Sequence, residues 1–383
     1  MQYEKKIKFN KKPIPNDYII QKDCELIMNE EVYFGKISLN KDFVVFKTEK
    51  NDPRNSDDFE TKQKYLFSAE IKTKNVSYPY KQLVLFSQEI REVIMRRVLL
   101  MWQGVEIFYK DGRSFFFNLF TTENCNSFVE NLKLISINVL TKSLLLEKIN
   151  NFKEQWKNSK ITTYDYLLYL NKYASRTYKD TTQYPVFPWL LLDHSVLFKK
   201  QRNNPTLPDL YTTNQNEETT QGNNDYTPEC ETPYDCDNNG HRDFQYPISM
   251  QTLYKRKLAI IKYDEMKIDL KDEHCYHIGN HYSTSAFIYY YLMRLYPYLN
   301  NLISLQSGSL ENPNRTFMSL FDTETIFRNS NDCRELIPEF YTMIEHYINL
   351  NCCYFGYTYT DSLVDDVVMN DNQTASQFVE FLL

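Results

Sequence analysis

The sequence predicts an α+β protein of more than one domain, with a strand-rich first third closed by a helix and a mainly helical remainder. Three observations carry this. Short apolar runs with a period of two fill the stretch from about residue 25 to 120. Behind them the apolar spacing turns helical. Finally, 383 residues with 42% hydrophobic and 15% aromatic side chains are enough for a large core and too apolar for a disordered chain.

The strands come first. "ELIMNEEVYFGKISLNKDFVVFK" (residues 25–47) has β-rich runs broken by Asn-Glu and Asn-Lys turns. The polar residues 48–64 predict a loop, and strands resume in "KQLVLFS" and "EIREVIMRRVLLM". The clearest hairpin is "VEIFYKDGRSFFFNLF" (residues 105–120), with Asp111-Gly112 as its turn, because glycine accepts the positive φ a tight hairpin needs. Val105, Ile107 and Tyr109 alternate there with Glu106, Phe108 and Lys110. The period then changes: "TTENCNSFVENLKLISINVL" carries Phe128, Leu132 and Ile135 at helical spacing.

From about Thr141 the chain reads as helical. Thr162 with Asp165 begins a helix in the manner of a capping box. "QYPVFPW" (residues 183–189) follows, and its two prolines forbid a helix and favour extended backbone. Residues 203–241 hold no lysine or arginine and are acidic and turn-rich, which predicts a disordered insertion. Helices return in residues 252–266, 282–305 and 335–348. The most apolar run, residues 286–293, is far short of the roughly 20 residues a bilayer demands and predicts a buried helix.

Composition and motifs exclude several functions. A net charge of −6 argues against a general nucleic-acid binder. Eight cysteines without regular spacing, and no secretory signal before them, predict a reducing, cytoplasmic setting. "DCDNNG" (residues 235–240) opens like a calcium loop, but Tyr246 stands where a bidentate glutamate is required. Cys236 and Arg242 have the spacing of a phosphatase loop, yet Asp235 and Asp237 have the wrong sign to make a thiolate. "HRDF" lacks the downstream asparagine of a kinase loop, where Ile248 stands instead. His274, His277 and His281 sit at helical spacing, but Gly279-Asn280 breaks that helix. No metal, cofactor or catalytic residue is predicted, and no enzyme.

The segment "QYPVFPW" has the P-x-x-P spacing of an exposed peptide ligand. Burying Tyr184, Phe187 and Trp189 would contribute on the order of 2 kcal/mol each, and apolar residues follow directly. An internal strap stiffened by Pro185 and Pro188 is therefore expected.

The strap and its neighbours, "LNKYASRTYKDTTQYPVFPW", resemble the signature of BEACH domains of the beige, neurobeachin and FAN classes. "RDFQYPISMQ", "YHIGNHYSTSAFIYYYLMRLYPY", "NDCRELIPEFY" and "VDDVVM" are similar to further blocks, in the family's order. Gln245 and Tyr246 depart from the family's Ser-Lys. "EIREVIMRRVLLMWQGVEIFYKDGRSFFFNLF" resembles the PH-like domain that precedes BEACH.

The resemblance implies a PH-like β-barrel with a C-terminal helix over residues 16–140. It implies that this domain packs on a mainly helical BEACH domain over 145–383, C-terminally incomplete because family members continue with further helices and commonly WD repeats. It implies a non-enzymatic scaffold in vesicle and endolysosomal trafficking or autophagy, cytoplasmic and peripheral to endomembranes. Protein partners are expected at a groove between the domains, with membrane association indirect. The alternative is direct binding of anionic lipid by the PH-like domain and the basic residues 1–12. Arg91, Arg96, Arg97, Asn171, Arg176, Tyr178, Asp180 and Arg242 are the expected partner or interdomain residues. Tyr184, Pro185, Phe187, Pro188, Trp189, His277, His281, Tyr282, Arg294, Pro338 and Glu339 are the expected structural signature.

Overall fold

In the computed structural model of the protein, the described residues are 17–28, 31–48, 82–189, 242–251, 253–270, 275–279, 283–306, 310, 317–318, 333–357, 363–368 and 374–382. The basic residues 1–12, most of the expected loop at 48–64, the acidic stretch 203–241 with its candidate calcium and phosphatase loops, and His274, His281 and Tyr282 lie outside them. The chain divides into two compact units, one of residues 1–187, 283–320 and 336–383, the other of residues 188–282 and 321–335.

The first unit contains seven antiparallel strands: β1 (Ile20–Met28), β2 (Glu31–Leu39), β3 (Phe43–Thr48), β4 (Gln82–Phe86), β5 (Ile90–Val98), β6 (Met101–Tyr109) and β7 (Ser114–Asn118). They form one sheet in the order β4-β3-β2-β1-β7-β6-β5. This curled sheet is the PH-like barrel expected, in the form of a half-barrel: β4 and β5 are its edges, joined by the 3-10 turn Ser87–Glu89, and among the described residues no ladder pairs them. Gly35 is required by a close approach, since a Cβ there would stand 2.1 Å from the carbonyl oxygen of Lys47. Gly112 takes φ 91° in the turn expected at Asp111-Gly112.

A second tight turn was hidden in the sequence. Leu99 and Leu100 join β5 to β6 at φ 49° and 67°, so β6 begins at Met101 and not near Val105. Left-handed backbone costs a residue with a Cβ about 1–2 kcal/mol. Nothing in two leucines announces such a turn.

The inner face of the sheet buries Leu26, Ile37, Phe46, Val93, Val105, Ile107 and Phe117. Helix α1 (Thr122–Leu134) covers them with Cys125, Phe128, Val129 and Leu132. Its start is capped by Thr121, whose Oγ1 accepts from the Asn124 amide at 3.1 Å. Ile135, expected on the same face, ends the helix and packs at the rim of the core. The chain then runs beside β5, where the Val93 amide donates to Asn138 O (2.8 Å) and the Leu140 amide to Val93 O (2.9 Å).

Two helices lie on the outer face of the sheet, α2 (Lys142–Lys157) and α3 (Thr163–Tyr173). The Asp165 amide donates to Thr162 Oγ1 at 3.0 Å, and that hydroxyl donates to Asp165 Oδ2 at 2.8 Å, which is the capping arrangement expected. Ile94 and Phe108 of the strands pack with Leu140, Leu145, Ile149, Phe152, Tyr169 and Tyr173 into a second apolar cluster.

The same unit holds α5 (Ser285–Tyr291), α6 (Tyr298–Leu305), α7 (Glu339–Thr342) and α8 (Ala375–Leu382), whereas α4 (Leu253–Leu270) is in the second unit. The apolar run at 286–293 is a buried helix ending in a turn. No described helix is long and apolar enough to cross a membrane. The helix expected over 335–348 is one short turn, an extended Met343 and the 3-10 turn Ile344–His346. Phe340, Tyr341, Met343, His346 and Tyr347 are all buried, and packing them on several sides overrides the single helical stripe that their spacing suggests.

In the second unit, α4 (Leu253–Leu270) follows the 3-10 turn Ile248–Met250. Gln251 ties that turn: its Nε2 donates to Asp243 O, Tyr246 O and Pro247 O at 2.8–3.1 Å, and its Oε1 accepts from the Asp243 amide at 3.0 Å.

Candidate functional site

Alternation on β5 and β6 sends Glu92, Ile94, Arg96, Glu106 and Phe108 to the outer face, under α2, α3 and the turn that follows. Arg96 pairs with Gly104, so Glu106 lies diagonally across the ladder, within reach of a long side chain. The Arg96 guanidinium meets Glu106 Oε2 at 2.7 Å through Nε and through Nη2. Its Nη1 donates to the carbonyl of Lys172, and Thr177 Oγ1 donates to Glu106 Oε1 at 3.0 Å. Every charged group in this pair has a partner, which a buried ion pair needs in order not to destabilise the fold.

Glu92 is the second centre. Lys172 Nζ bonds its Oε1, Lys148 Nζ lies 3.4 Å from Oε2, and Arg91 3.7 Å from Oε1. Burial alone would raise the Glu92 carboxyl, but the Lys172 ammonium, with Lys148 and Arg91, holds it below the usual carboxylate range. Burial lowers the Lys172 ammonium, and Glu92, helped by Glu106 and opposed by Arg91, only partly offsets this. Lys172 also stands 3.8 Å over the Phe108 ring. Between the sheet and α2 and α3 these side chains form a filled seam of ion pairs and apolar contacts. Glu92, Glu106, Lys148, Lys172 and Thr177 were not singled out from the sequence. Glu92 and Arg96, four apart on one strand face, were the available signal.

The strap is fixed residue by residue. Asp180 caps the 3-10 turn Thr181–Gln183, accepting from the Thr182 amide at 2.8 Å and from Gln183 Nε2 at 3.1 Å. Arg176 Nη1 donates to Tyr184 O (2.8 Å) and Ser283 Oγ (2.9 Å). Asn171 brackets Val186, its Oδ1 accepting from the amide at 2.8 Å and its Nδ2 donating to the carbonyl at 2.9 Å. The Phe187 amide donates to Leu336 O at 2.8 Å. Phe187 packs on Tyr164 and Tyr341, and the Tyr178 ring stands edge-on to Tyr184. Tyr184 OH donates to Glu339 Oε1 at 2.7 Å, and burial raises that carboxyl, an effect the tyrosine only partly opposes. Tyr184, Phe187 and Trp189 are all buried. Pro185 lies in this extended run, and Pro188 begins the second unit.

Inside the second unit, Trp189 Nε1 donates to Arg334 O at 2.9 Å, and its amide to Glu335 Oε2 at 3.1 Å. Arg242 Nη1 reaches both oxygens of Glu335 (2.9 and 2.8 Å), and its Nη2 donates to Tyr246 O at 3.1 Å. His277 stacks on Tyr263 at 4.3 Å. In the first unit, Arg294 is buried and donates to Asp365 O (2.9 Å) and Phe317 O (2.7 Å), while Pro338 precedes α7.

The expected partner or interdomain residues therefore separate. Arg96, Asn171 and Arg242 are buried and bonded internally, whereas Arg91, Arg97 and Tyr178 reach solvent. Arg97 lies over the Trp102 ring at 4.7 Å, and its carbonyl accepts from Gln183 Nε2 at 2.9 Å. Among the described residues no three His, Cys, Asp or Glu side chains gather as metal ligands. The polar groups that do converge bond one another and the backbone, which is the chemistry of positioning.

The family model described as "Beige/BEACH domain" matches residues 154–221 and 224–382, and that described as "PH domain associated with Beige/BEACH" matches residues 24–133. A putative neurobeachin homolog of Caenorhabditis briggsae is 29% identical over 294 residues, 74% of this chain and 10% of that protein. Beige protein homolog 1 of Schizosaccharomyces pombe is 29% identical over 314 residues, 72% of this chain and 11% of that one. Beige protein homolog 1 of Saccharomyces cerevisiae is 32% identical over 220 residues, 56% of this chain and 8% of that one. The chain spans about a tenth of the length of these curated relatives.

Proposed function

The chain belongs to the Beige/BEACH family, with the PH domain associated with it, and from that premise we propose that it is a non-enzymatic scaffold for protein partners in vesicle and endolysosomal trafficking or autophagy. In this reading it works in the cytoplasm at the surface of endomembranes. The observation that supports it most is the sealed seam centred on Arg96 and Glu106. The seam fixes the sheet, α2, α3 and the strap as one surface. A surface fixed in advance loses little freedom on binding, which is what a docking platform needs.

The test is proximity labelling in cells with the whole chain fused to a labelling enzyme. Enrichment of vesicle-coat, tethering or endolysosomal proteins is expected, and it should fall when Glu106→Lys breaks the seam. A labelled set no different from that of the unfused enzyme would reject the scaffold.

A further inference from the structure

The β5–β6 turn exposes four successive large apolar side chains. Leu100 is 79% exposed, Leu99 and Met101 are more than half exposed, and Trp102 is 41% exposed. The fold gains nothing from leucine here. Both central positions have positive φ, which Asn-Gly would adopt with far less strain, and neither side chain packs in the core. Strain and exposure are thus spent together on one protruding point, a combination that marks functional positions. The base of the point is held still, because Gln183 bonds the Arg97 carbonyl from the strap.

Along the turn itself the charge has one sign. Residues 96–103 contain two arginines and no carboxylate. Arg96 is paired with Glu106, which leaves Arg97 as the exposed charge on the turn itself, stacked on Trp102, while Asp180 keeps its charge as the cap of the 3-10 turn Thr181–Gln183. Four side chains on one turn are by themselves too few for a stable protein interface, which needs about 800 Å² on each side. Tryptophan favours the boundary between headgroup and acyl chain, and an arginine beside it can hold its charge at the phosphates.

We propose that residues 99–102 form a membrane-insertion tip, with Leu99 and Leu100 entering the acyl layer of an anionic phospholipid leaflet while Arg97 pairs with headgroup phosphate. This goes beyond the scaffold reading, adding a direct lipid contact to partner binding.

The test is flotation of the full chain with phosphatidylcholine vesicles, with and without phosphatidylserine. Binding to the anionic vesicles is expected. The double variant Leu99→Asn/Leu100→Gly suits the turn and should fold at least as stably, yet lose about tenfold or more in vesicle binding. Arg97→Glu should lose about fivefold on anionic vesicles and little on neutral ones. Vesicles should blue-shift the tryptophan emission of the wild type and not of Trp102→Phe. The proposal is overturned if the wild type stays in the buffer, or if the Asn-Gly variant floats as well as the wild type. It is also overturned if sedimentation shows a wild-type dimer that the Asn-Gly variant dissolves, which would make the tip a contact between two copies.

Discussion

Arg96 and Glu106 face each other diagonally across the β5–β6 ladder at 2.7 Å, and each is almost sealed from water, at 1% and 2% exposure. Removing one partner strands the other in a dry setting. Arg96→Met or Glu106→Leu alone should therefore cost about 3–5 kcal/mol, while the double variant costs much less than the sum. Denaturant titration of the four proteins measures the coupling, and simple additivity would reject it.

Glu92 and Glu339 should bend the pH profile in opposite directions. Glu92 is held below its ordinary value of 4.5, so its contribution is full above pH 4.5 and disappears as pH falls through the folded value. Glu339 is raised above 4.5, so the folded state keeps a proton the unfolded chain has released, and stability falls as pH rises from 4.5 through the folded value. Unfolding midpoints across this acid range should be less acid-sensitive in Glu92→Gln and more so in Glu339→Gln. Unchanged profiles would show that neither carboxyl is coupled to folding.

Tyr184→Phe removes the hydroxyl that donates to Glu339 and leaves a buried acceptor bare, at a cost of about 1–3 kcal/mol. Asp180→Ala removes the cap of the turn before it and should cost about 1 kcal/mol. Denaturant midpoints at pH 7 check both, and the larger loss should belong to Tyr184→Phe.

Thiol alkylation should divide the described cysteines. Cys352 is exposed, whereas Cys24, Cys125 and Cys333 are buried. Burial also pushes the Cys125 thiol up to about 12, leaving almost no thiolate at neutral pH. Peptide mapping after brief iodoacetamide treatment should find Cys352 modified and Cys125 untouched until denaturant is added.

Much of the first unit could be read from periodicity and turn chemistry. Val105, Ile107 and Tyr109 marked the inner face, Gly112 the turn, and Phe128 and Leu132 the covering helix. The strap was legible because two prolines and three aromatics cannot all be left in water. The seam was not, because charges on a strand of period two read as solvent-facing. What covers Glu92, Arg96 and Glu106 comes from residues 71 to 80 positions further on, such as Lys172 and Thr177. The Leu99-Leu100 turn escaped for a simpler reason, since leucine is among the residues least expected at positive φ.

The hydrogen bonds between Val93 and residues 138–140 govern where this protein can be cut. β5 borders the sheet; the passing chain occupies its open side, and α2 and α3 cover the outward Ile94 and Phe108. A fragment ending near residue 135 would uncover bare amides and an oily flank at once, which invites strand-to-strand clumping. Soluble pieces should accordingly extend past α3 and the strap, and the folded sheet is best regarded as half of an object that its neighbour completes.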